Sequence, residues 1–271
     1  MANIIGIKNI SYSYYGKIPA LTGISLEIGA GDKLAVIGSN GTGKSTLLQI
    51  MAGLIHPSEG EVRFHDRIVS ENSLKDASFL RFLRGRIGYI FQDSDIQLFC
   101  PTVWEELIFG PLQLGLSDEE TEARACSILD MLEISHLKHR PSYMLSGGEK
   151  KRVAIGSVLT MNPDVLVLDE PTGGLDPRTK SFLMGLILTL HEAGKTIVIA
   201  THDLSLVSEL GFRVAVISEE HAIERIGEAD DILQDMALLL KVNLIHEHIH
   251  FHGKTAHSHV HAHYQVHRHQ D

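Results

Sequence analysis

The stretch GSNGTGKS, residues 38–45, decides the fold class of this chain. It matches the pattern G-x-x-x-x-G-K-[S/T], follows an apolar run at 33–37 and precedes a helical pattern at 46–54. Glycines let backbone N–H groups approach phosphate oxygens, and a helix N-terminus adds aligned donors. The residues predicted to hold nucleotide phosphates are Gly38, Ser39, Asn40, Gly41, Thr42, Gly43, Lys44, Ser45 and Thr46.

Two side chains of this loop have specific predicted roles. Lys44 can reach the β- and γ-phosphates of a nucleoside triphosphate, and Ser45 can offer its hydroxyl to Mg²⁺. The alternative is a chance glycine-rich turn, which the strand and helix patterns on either side make less favoured. We therefore expect a nucleotide-binding α/β protein.

A second motif, VLVLDEP at residues 165–171, ends a continuous apolar run with two carboxylates. Such runs are typical of buried parallel strands, whose carboxyl ends form the ligand edge of α/β sheets. Asp169 is predicted to hold Mg²⁺, and Glu170 to orient or deprotonate the water that attacks the γ-phosphate. The alternative is a strand that ends in a solvated acidic turn.

A third motif, LSGGEKKR at residues 145–152, places Ser146, Gly147 and Gly148 at the predicted start of a helix. The serine hydroxyl and the free N–H groups form a second potential phosphate-binding cluster. The alternative is a well-capped helix, with Glu149 in its first turn.

Composition excludes several classes of protein. The chain has 271 residues, 44% of them hydrophobic, and a formal net charge of −10, which argues against broad binding to nucleic acid. The sequence shows no apolar run long enough to span a bilayer and no signal peptide. Two cysteines cannot form a disulfide framework. We expect helical structure over residues 102–132, interrupted near Gly110-Pro111 and Gly115, and a last helix over 230–240.

The order of these motifs resembles that of the ATP-binding-cassette (ABC) ATPases. The resemblance includes Gln92, LSGGE, VLVLDEP, GGLDP at 173–177 and THD at 201–203. It implies an α/β P-loop NTPase with a mixed central sheet, an N-terminal antiparallel β-subdomain and an inserted helical subdomain at about 93–160, within an ATP-binding domain at 1–240.

The resemblance also implies roles for single residues. Tyr14 is similar to the aromatic residue that stacks on adenine, although packing against Tyr12 on one face of a strand is the alternative. Gln92 resembles the glutamine that senses Mg²⁺ and the attacking water. His202 resembles the histidine that contacts the γ-phosphate, and Asp176 resembles the aspartate of a loop between two subunits.

The family geometry implies a dimer, most simply a homodimer, in which Ser146 and Gly148 of one subunit close over ATP held by Lys44 of the other. The segment IFQDSDIQLFCPTVWEELIFGP, residues 90–111, resembles the ATPase subunits of energy-coupling-factor (ECF) importers for cobalt and nickel. The apolar patch Phe99, Val103, Trp104, Leu107, Ile108 and Phe109 is expected to receive a membrane subunit at the cytoplasmic face. Alternatives are packing within the helical subdomain, a soluble ABC ATPase acting on nucleic acid or ribosomes, and an importer for another substrate.

The C-terminal segment, residues 241–271, is dense in histidine. Ten of the 17 histidines lie between residues 246 and 269, mostly at every second position. Neutral imidazole binds Ni²⁺, Co²⁺, Zn²⁺ and Cu²⁺. We expect a flexible, metal-binding tail with candidate ligands at His246, His248, His250, His252, His257, His259, His261 and His263, the alternatives being a solvated polar tail or an affinity tag.

Overall fold

The central sheet of the protein is six-stranded. The computed structural model describes residues 3–252 and 255–262, the part from residue 246 onward through its backbone. The sheet contains β3 (Lys33–Ile37), β6 (Ile87–Ile90), β7 (Val165–Asp169), β8 (Thr196–Thr201), β9 (Arg213–Ile217) and β10 (Ile223–Glu228). Its order is β10-β9-β3-β8-β7-β6, with β10 antiparallel to β9 and the other pairs parallel. The α/β fold class predicted from the phosphate loop is confirmed.

A second, antiparallel sheet covers one side of the first. It contains β1 (Asn3–Tyr14), β2 (Ile18–Gly29), β4 (Glu59–Phe64) and β5 (Arg67–Ile68), in the order β2-β1-β4-β5. The helix α1 (Lys44–Met51) follows the phosphate loop, and its apolar residues Leu47 and Leu48 are fully buried in the core shared by both sheets. Because α1 is buried between the two sheets, its position and that of the loop before it are fixed.

Of the other helices, one (Ala77–Arg86) packs through Phe79 and Leu83 into the core on the side of the second sheet, and the rest cover the opposite side of the central sheet or extend from its edge. The helices after α1 are α2 (Ala77–Arg86), α3 (Ser94–Gln97), α4 (Val103–Leu114), α5 (Asp118–Met131), α6 (Gly147–Leu159), α7 (Pro177–Glu192), α8 (Leu204–Leu210), α9 (Ala229–Gln234) and α10 (Met236–Lys241). The helices α3 to α6 lie between β6 and β7 in the chain. None of the helices in the described part of the chain has the length and apolar character that crossing a bilayer requires.

Two helix predictions need correction. The helix α4 continues through Gly110-Pro111, because Pro111 removes only one N–H donor and Gly110 lets the helix approach the Met161 side chain closely. The helix ends at Gly115, whose φ is +85°. The last helix is divided into α9 and α10 by Asp235, whose carboxylate accepts a hydrogen bond from the Leu238 N–H and caps α10.

The chain after α10 forms an antiparallel hairpin of β11 (Ile245–His252) and β12 (Thr255–Ala262). Leu244 and Ile245 are buried in the same core as Leu239 of α10, which attaches the start of the hairpin to the body. The flexibility predicted for 241–271 stays a prediction, as do the domain limits 1–240 and 93–160. Residues 253, 254 and 263–271, including the candidate ligand His263, lie outside the described residues.

Candidate active site

The phosphate loop connects the carboxyl end of β3 to α1 and lines a cavity of about 420 Å³. Its glycines are required by backbone geometry: Gly43 has φ +100°, and a Cβ there would lie 2.0 Å from the Ala20 carbonyl oxygen. A Cβ at Gly38 would lie 2.6 Å from the Ile217 carbonyl oxygen. The cavity is lined by Tyr14, Ile18, Pro19, Ala20, Asn40, Gly41, Gly43, Lys44, Ser45, Thr46, Gln92, Glu170 and His202. The structure thus brings together most of the residues that the motifs predict.

Lys44 is held by the loop itself. Its Nζ donates hydrogen bonds to the carbonyl oxygens of Gly38 (2.9 Å) and Ser39 (3.0 Å) and lies 3.8 Å from Glu170 Oε1. Burial lowers the pKa of Lys44, and the negative charges of Glu170 and Asp169 oppose that effect. The ammonium group is therefore already oriented at the cavity, next to the backbone that would surround a phosphate.

The predicted magnesium ligands meet at the end of β7. Ser45 Oγ donates a hydrogen bond to Asp169 Oδ1 (2.9 Å), although 124 residues separate the two in sequence. The other carboxylate oxygen accepts a 3.2 Å hydrogen bond from the Tyr89 hydroxyl. Burial raises the pKa of Asp169, whereas the hydrogen bonds from Ser45 and Tyr89 lower it. Hydroxyl and carboxylate oxygens are the donors that Mg²⁺ prefers, so this pair fits the ion.

Tyr89 is a site residue that the sequence analysis missed. It lies on β6, opposite Val167 of β7, in a strand whose residues are all buried. Burial, the Asp169 charge and the Asp169 hydrogen bond all raise the pKa of Tyr89, so its hydroxyl stays a donor. The only available signal was a tyrosine within an apolar run, because a buried phenol requires a polar partner.

Glu170 and His202 form a hydrogen-bonded pair across the ends of β7 and β8. The Glu170 Oε1 atom lies 2.9 Å from His202 Nδ1, and the Thr201 hydroxyl donates to Oε2 at 3.3 Å. The Glu170 backbone has φ +42°, a left-handed conformation that non-glycine residues rarely adopt, and its N–H donates to the Ala200 carbonyl. The strand ends thus fix the position of a carboxylate suited to orient or deprotonate a water molecule.

Tyr14 lies at the cavity and is hydrogen-bonded to the phosphate-loop helix. Its hydroxyl is 2.9 Å from Thr46 Oγ1. Its ring packs edge-on against Tyr12, with centroids 5.1 Å apart, so the alternative of packing on the strand is present in the structure. Stacking of Tyr14 on adenine stays a prediction.

Gln92 also lines the cavity, and a buried lysine fixes its backbone. Lys151 Nζ donates to the carbonyl oxygens of Phe91 (3.0 Å) and Gln92 (3.1 Å). The lysine belongs to α6, so it connects the Gln92 segment to the helix that begins with the serine–glycine–glycine motif. Burial lowers the pKa of Lys151 to about 8, against the opposing charges of Asp169 and Asp93. The sequence analysis missed this lysine, because KKR in a helix usually indicates a solvated face.

The residues of the third motif, Ser146, Gly147 and Gly148, do not line the cavity that contains Lys44. Ser146 caps α6 in a capping box with Glu149, and Asp176 caps α7 by accepting from the N–H groups of Arg178 and Thr179. The two helix N-termini share a second cavity, which Ser146, Gly148 and Asp176 help to line. Gly147 is the first residue of α6. Within the described part of the chain, the two cavities have no lining residue in common.

Comparison with known proteins gives a consistent result. The sequence model described as ABC transporter matches residues 21–173. A Methanosarcina acetivorans protein, provisionally named as an ABC transporter ATP-binding protein, is 51% identical over 94% of this chain and 93% of its own length. The ECF transporter ATP-binding protein EcfA of Methanothermobacter thermautotrophicus is 40% identical (89% and 76%). The nickel import ATP-binding protein LarO of Lactiplantibacillus plantarum is 41% identical (82% and 91%).

Solved structures extend the similarity to the fold. The cbiO1 protein of Clostridium perfringens, described as part of the transporter complex cbiONQ, has a TM-score of 0.75 and 37% identity over 90% of this chain and 96% of its own. The cassette MJ0796, solved as a dimer in a post-hydrolysis state with ADP and Pi, has a TM-score of 0.74 and 31% identity (83% and 99%). The chain therefore belongs to the ABC transporter family, as one of its ATP-hydrolysing ATP-binding proteins.

Proposed function

We propose that this chain is the ATPase subunit of an ECF-type importer for nickel or cobalt ions. The observation that carries the ATPase part is the cavity in which Lys44, the Ser45–Asp169 pair and the Glu170–His202 pair converge. The importer part is supported by the similarity to EcfA, and the choice of metal by the similarity to LarO and by the histidine-rich C-terminal segment.

The described side chains suit the hydrolysis of ATP at this site. The loop N–H groups and Lys44 would bind the phosphates, and Ser45, Asp169 and Gln92 would hold Mg²⁺. When bound, Mg²⁺ supplies positive charge that offsets the charge of the triphosphate. Glu170, held by Thr201 and His202, would position the attacking water and accept its proton. His202, half exposed at the cavity, would reach toward the γ-phosphate.

We propose further that two subunits are needed for an enclosed site. The Lys44 cavity is open on one side, whereas Ser146, Gly148 and Asp176 line a different cavity of the same chain. A second subunit, most simply a second copy, would place its α6 N-terminus over the triphosphate and exclude water. The dimeric state described for MJ0796 supports this arrangement. Closing on ATP and opening after hydrolysis would then drive the membrane partner.

The docking surface proposed for that partner is smaller than the apolar patch predicted from the sequence. Val103 and Leu107 are fully buried, and Trp104 and Ile108 pack against the core, so the packing alternative explains these four residues. Phe99 remains 66% exposed and Phe109 42%, with their rings edge-to-face at 4.9 Å. We propose that this aromatic pair and the adjacent groove, lined by Leu98, Pro101 and Tyr143 among others, receive membrane-embedded coupling and substrate-binding subunits. In this proposal the chain lies at the cytoplasmic face of the membrane.

The test is to co-purify the chain with its membrane partners, reconstitute the complex in vesicles and measure ATP-dependent uptake of Ni²⁺ and Co²⁺. We expect ATP-dependent uptake of at least one of the two ions, and none with a Glu170→Gln complex assembled in the same way. Stable assembly with ATP-dependent uptake of a different solute would contradict the choice of metal. A chain that hydrolyses ATP but captures no membrane protein would contradict the importer.

The C-terminal segment is part of this proposal, because we propose that it handles the imported metal. Deletion of residues 246–271 should leave ATP hydrolysis intact and change the amount of metal accumulated or its dependence on external concentration. Identical uptake at all metal concentrations would contradict this role.

A further inference from the structure

The hairpin of β11 and β12 places histidines of the two strands directly opposite each other. The antiparallel register pairs His246 with His261, His248 with His259, and His250 with His257. In the sequence, eight of the C-terminal histidines form two clusters, at residues 246–252 and 257–263. The register joins the two clusters into one ladder of three cross-strand pairs.

The ladder occupies one face of the hairpin. Alternate residues of a strand belong to the same face, and directly opposed residues of paired strands share a face. The three pairs and His252 therefore lie on one face, where Thr255 is the only other residue of the two strands. The opposite face contains Ile245, Glu247, Ile249, Phe251, Ala256, Ser258, Val260 and Ala262.

The body of the protein fixes the start of this ladder. Ile245 belongs to the face without histidines and is 3% exposed, buried in the core with Leu239 and Val242. Its cross-strand partner is Ala262. The first histidine pair therefore follows directly after a residue anchored in the folded domain, so the ladder has a defined attachment to that domain.

We propose that this ladder is a binding site for divalent transition-metal ions, built from cross-strand histidine pairs. Opposed Cα atoms in antiparallel strands are about 4.5 or 5.5 Å apart, whereas successive positions on one face of a strand are about 6.6 Å apart. Two imidazole nitrogens bound to one ion are at most about 4 Å apart, because each metal–nitrogen bond is about 2 Å long. Cross-strand pairs thus match one ion better than neighbours within a strand do. Imidazole selects for ions such as Ni²⁺, Co²⁺, Zn²⁺ and Cu²⁺ over Mg²⁺.

The inference rests on the proposed function in treating the C-terminal segment as a metal site, and adds that the pairing, rather than the number of histidines, determines binding. Two double variants of the full chain with equal composition separate these possibilities. His246→Ala/His261→Ala removes one pair and leaves two intact. His246→Ala/His257→Ala also removes two histidines, but it breaks two pairs and leaves only His248 with His259.

The measurement is Ni²⁺ binding to the full-length protein by titration calorimetry and by metal content after gel filtration. We expect the mismatched variant to hold at most half as many Ni²⁺ ions as the paired variant, whether one pair or two adjacent pairs bind each ion. Equal Ni²⁺ content and affinity in the two variants would overturn the inference, because a flexible chelating tail depends only on the number of histidines. Failure of the wild-type chain to bind Ni²⁺ at micromolar concentration would overturn it as well.

A second comparison keeps every histidine. Ser258 lies in β12 on the opposite face, and Ser258→Pro disturbs the strand because proline fixes φ near −65°, away from the value of about −140° that antiparallel strands adopt. We expect Ser258→Pro to bind Ni²⁺ at least about fivefold more weakly than the control Ser258→Ala. ATP hydrolysis by each variant shows that its ATPase domain is folded. Equal affinities would contradict a hairpin site. Vesicle uptake tests the proposed cargo and not the histidine pairing. If the vesicles take up Ni²⁺ or Co²⁺ but the two double variants bind Ni²⁺ equally, only this inference fails. If the double variants differ but the vesicles take up neither ion, only the proposed cargo fails.

Discussion

The buried lysine behind Gln92 gives a quantitative prediction about stability and turnover. Lys151 is 3% exposed, and its ammonium group donates to two backbone carbonyls, those of Phe91 and Gln92. Lys151→Met keeps most of the side-chain volume but removes the donor and the charge. The change therefore tests whether this contact fixes the Gln92 segment against α6.

Two opposing terms determine the effect on the free energy of unfolding. Loss of two hydrogen bonds from a charged donor to these part-buried carbonyls costs about 4 kcal/mol, at about 2 kcal/mol each. The pKa of Lys151 falls from 10.5 to about 8 on folding, so folding with Lys151 protonated is about 3 kcal/mol less favourable than folding with it neutral. Methionine carries no charge and avoids this cost. We expect Lys151→Met to lower the free energy of unfolding by only about 1 kcal/mol at pH 7.

The pH dependence distinguishes this account from simple loss of packing. Because the folded-state pKa of Lys151 is lower than the unfolded-state pKa, the unfolded chain binds more protons between pH 8 and 10.5. The wild-type protein therefore gains stability from this residue as pH rises through that window, and the methionine variant does not. The destabilisation by Lys151→Met should grow from about 1 kcal/mol at pH 7 to about 2 kcal/mol at pH 9.

The assay is urea unfolding of the wild-type, Lys151→Met and Lys150→Met proteins at both pH values. Lys150 is the matched control, because it is the neighbouring residue of α6 and forms a surface ion pair with Asp95 that is worth at most about 1 kcal/mol. Turnover should fall severalfold with Lys151→Met and recover with Lys151→Gln, whose amide can donate to both carbonyls. An equal destabilisation at pH 7 and pH 9, or an effect at pH 9 no larger than that of Lys150→Met, would refute the reasoning.

Three further changes test other parts of the structure. Glu170→Gln should reduce turnover by about 10²- to 10⁴-fold while ATP still binds, measured by single-turnover kinetics and nucleotide binding; turnover near the wild-type rate would exclude Glu170 as the base. Tyr89→Phe removes one donor to Asp169 and should raise the Mg²⁺ concentration for half-maximal turnover by about three- to tenfold; an unchanged Mg²⁺ requirement would contradict this role of the phenol. Gly156→Ala should lower the free energy of unfolding by about 1–2 kcal/mol, because a Cβ there would lie 2.9 Å from Leu107 Cδ2. The control Gly185→Ala adds a Cβ into open space and should raise the free energy of unfolding by about 0.5–1 kcal/mol. Both changes are measured by thermal unfolding, and equal shifts in the two variants would contradict the packing argument.

Local sequence patterns predict the parts of the site whose geometry is local. The phosphate loop, the strand before Asp169 and the capped helix at Ser146 each depend on residues within a few positions of one another. Their glycines, apolar runs and capping residues are sufficient to predict strand, loop or helix. These three predictions correspond to β3 with α1, β7 and α6 in the structure.

The contacts that sequence reasoning missed are those made between distant segments. Tyr89 reaches Asp169 from 80 residues away, and Lys151 reaches Phe91 and Gln92 from about 60. No local pattern distinguishes a tyrosine that contacts a carboxylate from one that only packs, or a buried lysine from a solvated one. The pairing of β11 with β12 is of the same kind, because alternation predicts strands but does not predict their register.

The sheet order explains why the residues of the candidate active site converge despite their separation in sequence. In chain order β7 and β8 follow β3 by more than 120 residues, yet β8 lies directly between β3 and β7 in the sheet. His202, which follows β8, is therefore placed between the phosphate loop after β3 and Glu170 after β7. All three strands are parallel, so their carboxyl ends meet at one edge. With a different strand order, every motif could be preserved and Lys44 would nevertheless lie far from Glu170. The distance of 3.8 Å between Lys44 Nζ and Glu170 Oε1 therefore depends on the sheet topology and not on any single motif.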